Sequence, residues 1–152
     1  MSQIVTRQAI LDDLDALIPL FDAYRQFYKK PSDLLAARAF LRDKFDHGES
    51  VIFLAWDGAR PVGFTQLFPS FSSVSMARTF LLNDLFVAPS HRRRGVGALL
   101  LDAAVRHGRA LGAVRLSLST HVSNTTAQAT YQAQGWQRDT DFLVYHFLPA
   151  DA

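Results

Sequence analysis

Apolar residues recur at helical spacing through Leu14, Leu17, Ile18, Phe21, Tyr24 and Tyr28, which predicts an amphipathic helix on one side of the chain's first third. Asp12 is a suitable N-cap for it, with Asp15 three residues on. Pro19 falls inside the run and predicts a kink or a break. Ser32 can cap a second helix carrying Leu34, Ala37, Phe40, Leu41 and Phe45, which ends near Gly48. The pattern then changes. Val51-Ile52-Phe53-Leu54-Ala55-Trp56 is a continuous apolar run, as in a strand buried on both faces. Asp57-Gly58 is a hairpin turn signal, after which Val62 to Phe68 continues the sheet. Ile4 to Arg7 reads as a short strand and Thr79 to Val87 as a long one. A third helix is predicted from Gly95 to about Leu111, with Val96, Leu99, Leu100 and Ala103 inward and Gly112 as its stop. Val114 to Ser119 is a strand, Ser123 or Asn124 opens a last helix ending at Gly135, and Trp136–Arg138 with Phe142–Leu148 close the chain as a hairpin. The order β-α-α-β-β-β-α-β-α-β-β describes an α/β fold, a mixed sheet flanked by helices.

Composition narrows this only a little. At 152 residues, with no repeat and no Gly/Ser/Pro linker, residues 1–152 read as one domain. Hydrophobic residues at 49% against 20% charged fit a globular chain, and twelve phenylalanines supply core volume. The absence of cysteine excludes disulfides, thiolate metal ligands and a cysteine nucleophile. Met1 to Arg7 shows no leader pattern, and no apolar run approaches the ~18 residues that span a bilayer, so a cytoplasmic chain with no membrane partner is expected. A net charge of +2 does not point to nucleic acid. The positive charge is nonetheless concentrated, with Arg92, Arg93 and Arg94 contiguous after His91.

Those arginines sit between a strand and a helix, in Leu85-Phe86-Val87-Ala88-Pro89-Ser90-His91-Arg92-Arg93-Arg94-Gly95-Val96-Gly97-Ala98. The first N–H groups of a helix are unpaired and its dipole is positive there, which suits a phosphate. Gly95 and Gly97 remove side chains that would hold a phosphate away, and the arginines add forked donors. A dinucleotide fingerprint fails because position 100 is Leu100 rather than glycine, and the Gly-Lys-Ser/Thr of a P-loop is missing. A solvated basic loop with ordinary glycines is the alternative.

At Arg92, Gly95 and Gly97, and again at Asn124, Ala127, Tyr131, Gly135 and Trp136, the chain resembles the GCN5-related N-acetyltransferase (GNAT) superfamily. Arg92, Gly95 and Gly97 match its pyrophosphate signature Arg/Gln-x-x-Gly-x-Gly/Ala. Asn124, Ala127, Tyr131, Gly135 and Trp136 match its second signature, Asn-x-x-Ala-x-x-x-Tyr-x-x-x-Gly-aromatic, at every spacing. The resemblance implies a single-domain fold with a mixed, mostly antiparallel sheet and acetyl-CoA as cosubstrate. It implies that the backbone at Leu85, Phe86 and Val87 pairs with the pantetheine arm, in a slot opened where this strand splays from Val114–Ser119. It assigns the pyrophosphate to Arg92 and the amides from Arg93, Arg94, Gly95, Val96 and Gly97 to Ala98, the pantetheine region to Asn124 beside Ala127, and the leaving thiolate to Tyr131. A phenol near a nascent thiolate can donate a proton to it; Tyr131 can equally be a helix tyrosine packed beside Ala127. Homodimers occur in the family.

The general base is less readily assigned. Polyamine-type relatives carry glutamate then aspartate on this strand, where this chain has Asn83 then Asp84. Asparagine cannot be the base. Asp84 can deprotonate the amine, bind it as a counter-ion while water takes the proton, or pair with a neighbour such as Arg78. Strand alternation places Asn83 and Asp84 on opposite faces. For the acceptor, Tyr24, Tyr28, His121, Asp141 and Tyr145 are candidates, with Phe71 and Ser72-Ser73 as a wall; core packing explains at least one of the two helix tyrosines. The five histidines show no His-x-x-x-His pair and no clustered carboxylates, so no metal is expected. The reading is acetyl transfer from acetyl-CoA to a small-molecule or protein amine by direct attack. A non-catalytic acyl-CoA sensor and a nucleic-acid module are the rivals; the second leaves Asn124–Trp136 unexplained.

Overall fold

Gly58 and Ala59 form a two-residue turn between Asp57 and Arg60, with Gly58 at φ 61, and the sheet grows outward from this hairpin. The computed structural model describes residues 3–150; Met1 and Ser2, part of the stretch read for a leader, lie outside the described residues, as do positions 151 and 152. The chain divides into two compact units, Met1–Ser119 and Thr120–Ala152.

In the first unit, β1 (Ile4–Gln8), β2 (Val51–Asp57), β3 (Arg60–Ser72), β4 (Ala77–Val87) and β5 (Arg115–Ser117) lie in the order β1-β2-β3-β4-β5. The first three pairings are antiparallel and β4–β5 is parallel, so the sheet is mixed as expected. Helices α1 (Leu14–Phe27) and α2 (Leu34–His47) cover one face, where Leu17, Phe21 and Leu41 join Leu54, Phe64 and Phe86 in one buried core. Helix α3 (Val96–Ala110) supplies Val96 and Leu100 to a second cluster with Ala55 and Val62, against which Leu85 and Val87 pack. Alternate residues of β4 therefore serve different cores. Each fully buried leucine or phenylalanine contributes about 1.5–3 kcal/mol, which makes these two clusters the main support of the unit. Gly63 lets α3 approach the sheet: a Cβ there would lie 3.0 Å from the Phe86 carbonyl oxygen and 3.2 Å from Leu100.

Several expected boundaries move, each for a local reason. Helix α1 starts at Leu14, after a 3-10 turn at Leu11–Asp13, rather than at an Asp12 cap. Asp13 accepts from the Ile10 N–H at 2.9 Å and pairs with Arg7, which draws the cap role away from Asp12. Pro19 does not break α1; it sits early in the helix, between the buried pairs Leu17–Ile18 and Leu20–Phe21 that hold the turn in place. The cap of α2 is Asp33, which accepts from the Ala36 N–H at 3.0 Å, because Ser32 is engaged elsewhere, donating to Asp22 at 2.7 Å. Gly48 closes α2 in the left-handed region as expected. On α3, Leu99 is exposed; Leu101 and Ala104 are the additional inward residues.

In the second unit, α4 (Thr125–Ala133) begins at Asn124, whose side chain accepts from the Ala127 N–H at 3.2 Å. It ends with Gly135 at φ 90, and the Trp136 N–H returns to the Tyr131 carbonyl at 2.9 Å. The hairpin expected from Trp136–Arg138 and Phe142–Leu148 is not formed among the described residues. Phe142, Leu143, Val144, Tyr145, Phe147 and Leu148 are 78–88% exposed, so no packed face supports strands there, and an unsupported hairpin is marginal in water.

Candidate functional site

Helix α3 opens without a side-chain cap. Its N-cap is Gly95 at φ 78, a left-handed conformation that suits glycine, and Arg93 before it is also left-handed at φ 62. The first-turn N–H groups of Val96, Gly97 and Ala98 are thus offered to whatever lies beyond the helix end. A Cβ built on Gly97 meets nothing within 4 Å, so glycine is not required there by protein packing and the space beside this turn is open. The residues present fit a phosphate group.

The three arginines do not act alike. Arg93 and Arg94 are exposed at the loop. Arg92 folds back: its Nε donates to the Val87 carbonyl at 3.0 Å, and its guanidinium lies 5.5 Å from the Phe86 ring and 5.6 Å from the Phe27 ring. That posture ties the loop to the end of β4 and to α1. His91, 5% exposed, anchors the loop from the other side: Nε2 lies 2.8 Å from Asp57 Oδ2 and Nδ1 lies 2.7 Å from Ser90 Oγ. In the sequence His91 stands out only by its place beside the arginines, and the hairpin signal at Asp57 gives no sign of the link, because the two residues are 34 positions apart.

Beside the loop the sheet opens. The β4–β5 ladder covers Thr79–Leu81 against Arg115–Ser117 and stops. From Leu82 to Val87, β4 is paired with β3 on one side and with no strand on the other among the described residues. The backbone at Leu85 and Phe86 borders this opening, while the Val87 carbonyl is taken by Arg92. Strand β5 is shorter than the Val114–Ser119 expected, since Val114 donates to the Arg78 carbonyl and the ladder ends after Ser117.

On the α1/α2 face lies a cavity of about 450 Å³. Gln66, Phe68, Asn83 and Asp84 line it from the sheet, Phe21, Tyr24 and Arg25 from α1, and Ala36, Ala37 and Phe40 from α2. Asn83 and Asp84 both border it, contrary to the alternation expected of a regular strand. The β3–β4 register pairs Gln66 with Asp84 and Leu67 with Leu82, so Asn83 is the extra residue of a β-bulge. Its Nδ2 donates to Asp84 Oδ1 at 3.0 Å, and Gln66 Nε2 donates to Asp84 Oδ2 at 2.5 Å. Asp84 is 4% exposed and, among the described residues, has no ion pair. Arg78, the cation considered for it, stacks over Phe71 instead, 5.5 Å from the ring centroid.

Other expected residues lie elsewhere. Tyr24 lines the cavity; Tyr28 is 62% exposed and packs edge-on to Tyr24. Phe71, Ser72 and Ser73 line a separate recess with Met76, Ala77 and Arg78. In the second unit His121 is exposed and bonded to Ser123 Oγ at 2.7 Å, Tyr145 is 87% exposed, and the Asp141 N–H donates to Asp139. Tyr131 packs near Trp136, their ring centroids 6.5 Å apart, so the second signature forms a helix closed at both ends. Contrary to the expectation of no clustered ligands, Asp43, His47 and Glu49 converge on the exposed end of α2. Lys44 bridges Asp43 and Glu49 there, and contact with Asp43 pushes the His47 imidazole above its ordinary value.

Residues 16–136 match the acetyltransferase (GNAT) family. The chain is 46% identical over 139 residues to the uncharacterized N-acetyltransferase YhfO of Bacillus subtilis (strain 168), covering 91% of this chain and 93% of that protein. A crystal structure of a probable acetyltransferase, 42% identical, superposes with a TM-score of 0.91 over 99% of both chains. The fold is also that of aminoglycoside N-acetyltransferase AAC(6')-Iy, solved in complex with CoA, at a TM-score of 0.81 and 22% identity over 99% of this chain and 97% of that one.

Proposed function

The chain belongs to the acetyltransferase (GNAT) family and is an N-acetyltransferase, and on that premise we propose that it transfers the acetyl group of acetyl-CoA to a primary amine by direct attack within a ternary complex. The observation that carries the reading is the uncapped start of α3 at Gly95, with open space beside Gly97 and, in the same unit, a stretch of β4 that among the described residues has no strand on the side away from β3. The first-turn amides and Arg93 and Arg94 hold the pyrophosphate, while Arg92 and His91 hold the loop that presents them. The edge of β4 away from β3, at Leu85 and Phe86, receives the pantetheine as an added strand. A related fold has been solved with CoA bound.

In the reaction the amine nitrogen bonds to the thioester carbonyl carbon, a β4 backbone N–H steadies the oxyanion, and the C–S bond then breaks. The nitrogen gives up its proton to Asp84 or through water to the bulk, and the thiolate takes one. Tyr131 is its donor by virtue of its place in the second signature, beside Asn124 and Ala127. Asp84 serves the acceptor because it is a buried carboxylate lining a cavity, and among the described residues the side chains that hold it are two neutral amides. With no cysteine in the chain, a thiol-bound acetyl-enzyme is excluded.

A thiol-release screen over amines, amino acids, polyamines and peptides, with mass spectrometry of the product, tests this. Release of CoA with formation of an acetylated amine, and intersecting rather than parallel double-reciprocal lines, is the expected result. CoA binding without turnover on any amine leaves the acyl-CoA sensor as the better reading.

A further inference from the structure

Gln66 stands in the middle of β3, within Phe64-Thr65-Gln66-Leu67-Phe68, and is 0% exposed. Its Nε2 donates to Asp84 Oδ2 at 2.5 Å. Reversing the amide would set its oxygen against the carboxylate, so the orientation is dictated by chemistry. That orientation leaves Oε1 buried and without a partner among the described residues. An unpaired buried acceptor is destabilising, a cost that an apolar side chain at this position would avoid. Asp84 adds to the surplus of acceptors: its two donors are neutral, and a carboxylate can accept about four hydrogen bonds. Thr65 does not relieve it, since its hydroxyl donates to the Asp84 backbone carbonyl at 2.8 Å.

We propose that Gln66 is a specificity-determining positioning residue, whose Oε1 and the Asp84 carboxylate together seat the ammonium of an amine that carries one positive charge and an apolar body. The proposal rests on the transfer reading above only for calling that amine the acceptor. An ammonium brings three donors and the charge that this floor lacks. Phe21, Tyr24, Phe40 and Phe68 wall the cavity with aromatic surface suited to a cation and to a hydrocarbon or aryl chain. The cavity's other charged lining residue is Arg25. One carboxylate and one guanidinium leave no partner for a second ammonium, so a diamine gains nothing over a monoamine and is repelled by Arg25.

The test is calorimetric titration of the full chain, with and without saturating CoA, using hexylamine, hexanol and hexamethylenediamine. Hexylamine is expected to bind, hexanol to bind at least about tenfold more weakly, and the diamine to bind no more tightly than hexylamine. Gln66→Met, which keeps the shape of the side chain, is expected to weaken hexylamine about tenfold and to leave CoA affinity unchanged. In turnover assays its Michaelis constant for the amine rises more than kcat falls. Equal binding of amine and alcohol, tighter binding of the diamine, or unchanged hexylamine affinity in Gln66→Met overturns the proposal. The ligand comparison on the wild-type chain stands even if the variant does not fold. Should the wild type show this binding pattern but acetylate no amine, the seat is upheld and the transfer reading falls.

Discussion

The inserted residue Asn83 decides how Asp84 meets its cavity. A regular strand would send the two side chains to opposite faces, but the bulge lets both border the same space, with Asn83 donating to Asp84. Asn83 is therefore a support of the carboxylate rather than a bystander. Asp84→Asn is expected to lower transfer by about 100-fold or more while CoA affinity survives, the scale of losing a group that handles a proton. Asn83→Ala is expected to cost only severalfold, since Gln66 still holds the carboxylate. Initial rates for both variants against wild type, over a range of pH, check the ranking; a silent Asp84→Asn removes Asp84 from the chemistry. The carboxylate was legible in the sequence as a charge on an apolar strand. The bulge was not, because it arises from the pairing of β3 with β4 and neither strand alone encodes the slip. Gln66 left a fainter sign, an amide inside an apolar run.

At the scale of elements, two ties set the stability of the parts that carry the site. Asp22 accepts from Gln26 Nε2, Ser32 Oγ at 2.7 Å and the Asp33 N–H at 2.8 Å, which fastens the end of α1 to the start of α2. The Ser32 and Asp33 bonds hold its carboxyl below the ordinary aspartate range. Because the folded value lies below the unfolded one, this contribution is present above about pH 4 and is lost as pH falls through the folded value. His107 behaves in the opposite chemical sense with the same pH trend. Burial between Phe53 and Phe80 pushes the imidazole below its ordinary value, so the folded chain prefers it neutral and loses stability as pH drops below about 6.5. Thermal melts from about pH 7 to about pH 5 are expected to show a falling midpoint that flattens in His107→Leu; an unchanged slope in the variant contradicts the assignment. The loop before α3 has its own anchor. His91→Ala leaves Asp57 without the imidazole, so it is expected to cost about 1–3 kcal/mol in stability and to weaken CoA binding, with hexylamine binding unaffected. Helix faces, the β2–β3 turn and the Gly48 and Gly112 stops were readable from periodicity and glycine. The caps at Asp13 and Asp33 were not, since neighbouring polar residues compete for each role and tertiary partners such as Arg7 and Asp22 settle the contest.

The first unit holds the loop before α3, the open edge of β4 and the cavity that Asp84 lines, and the second holds Tyr131. The closing hairpin was over-read: Phe142–Leu148 has strand composition, but a strand also needs an edge to pair with and a face to cover it. The second signature was legible to the residue, yet its visible effect is a capped helix, so the role of Tyr131 calls for kinetics. Tyr131→Phe is expected to lower kcat by about 100-fold with little change in the Michaelis constant for acetyl-CoA, and turnover within about twofold of wild type would make it a packing residue. The central claim is that acetyl-CoA is held at the start of α3. Gly97→Glu addresses it most directly, because glutamate in a first helical turn has better helix propensity than glycine and meets open space, so the fold is kept while an anion enters the phosphate seat. Calorimetric titration of acetyl-CoA into wild type and variant is expected to show tight binding lost by at least about 100-fold at an unchanged melting temperature, on the scale of a like charge set against the pyrophosphate. Equal affinity in the two proteins would contradict the account.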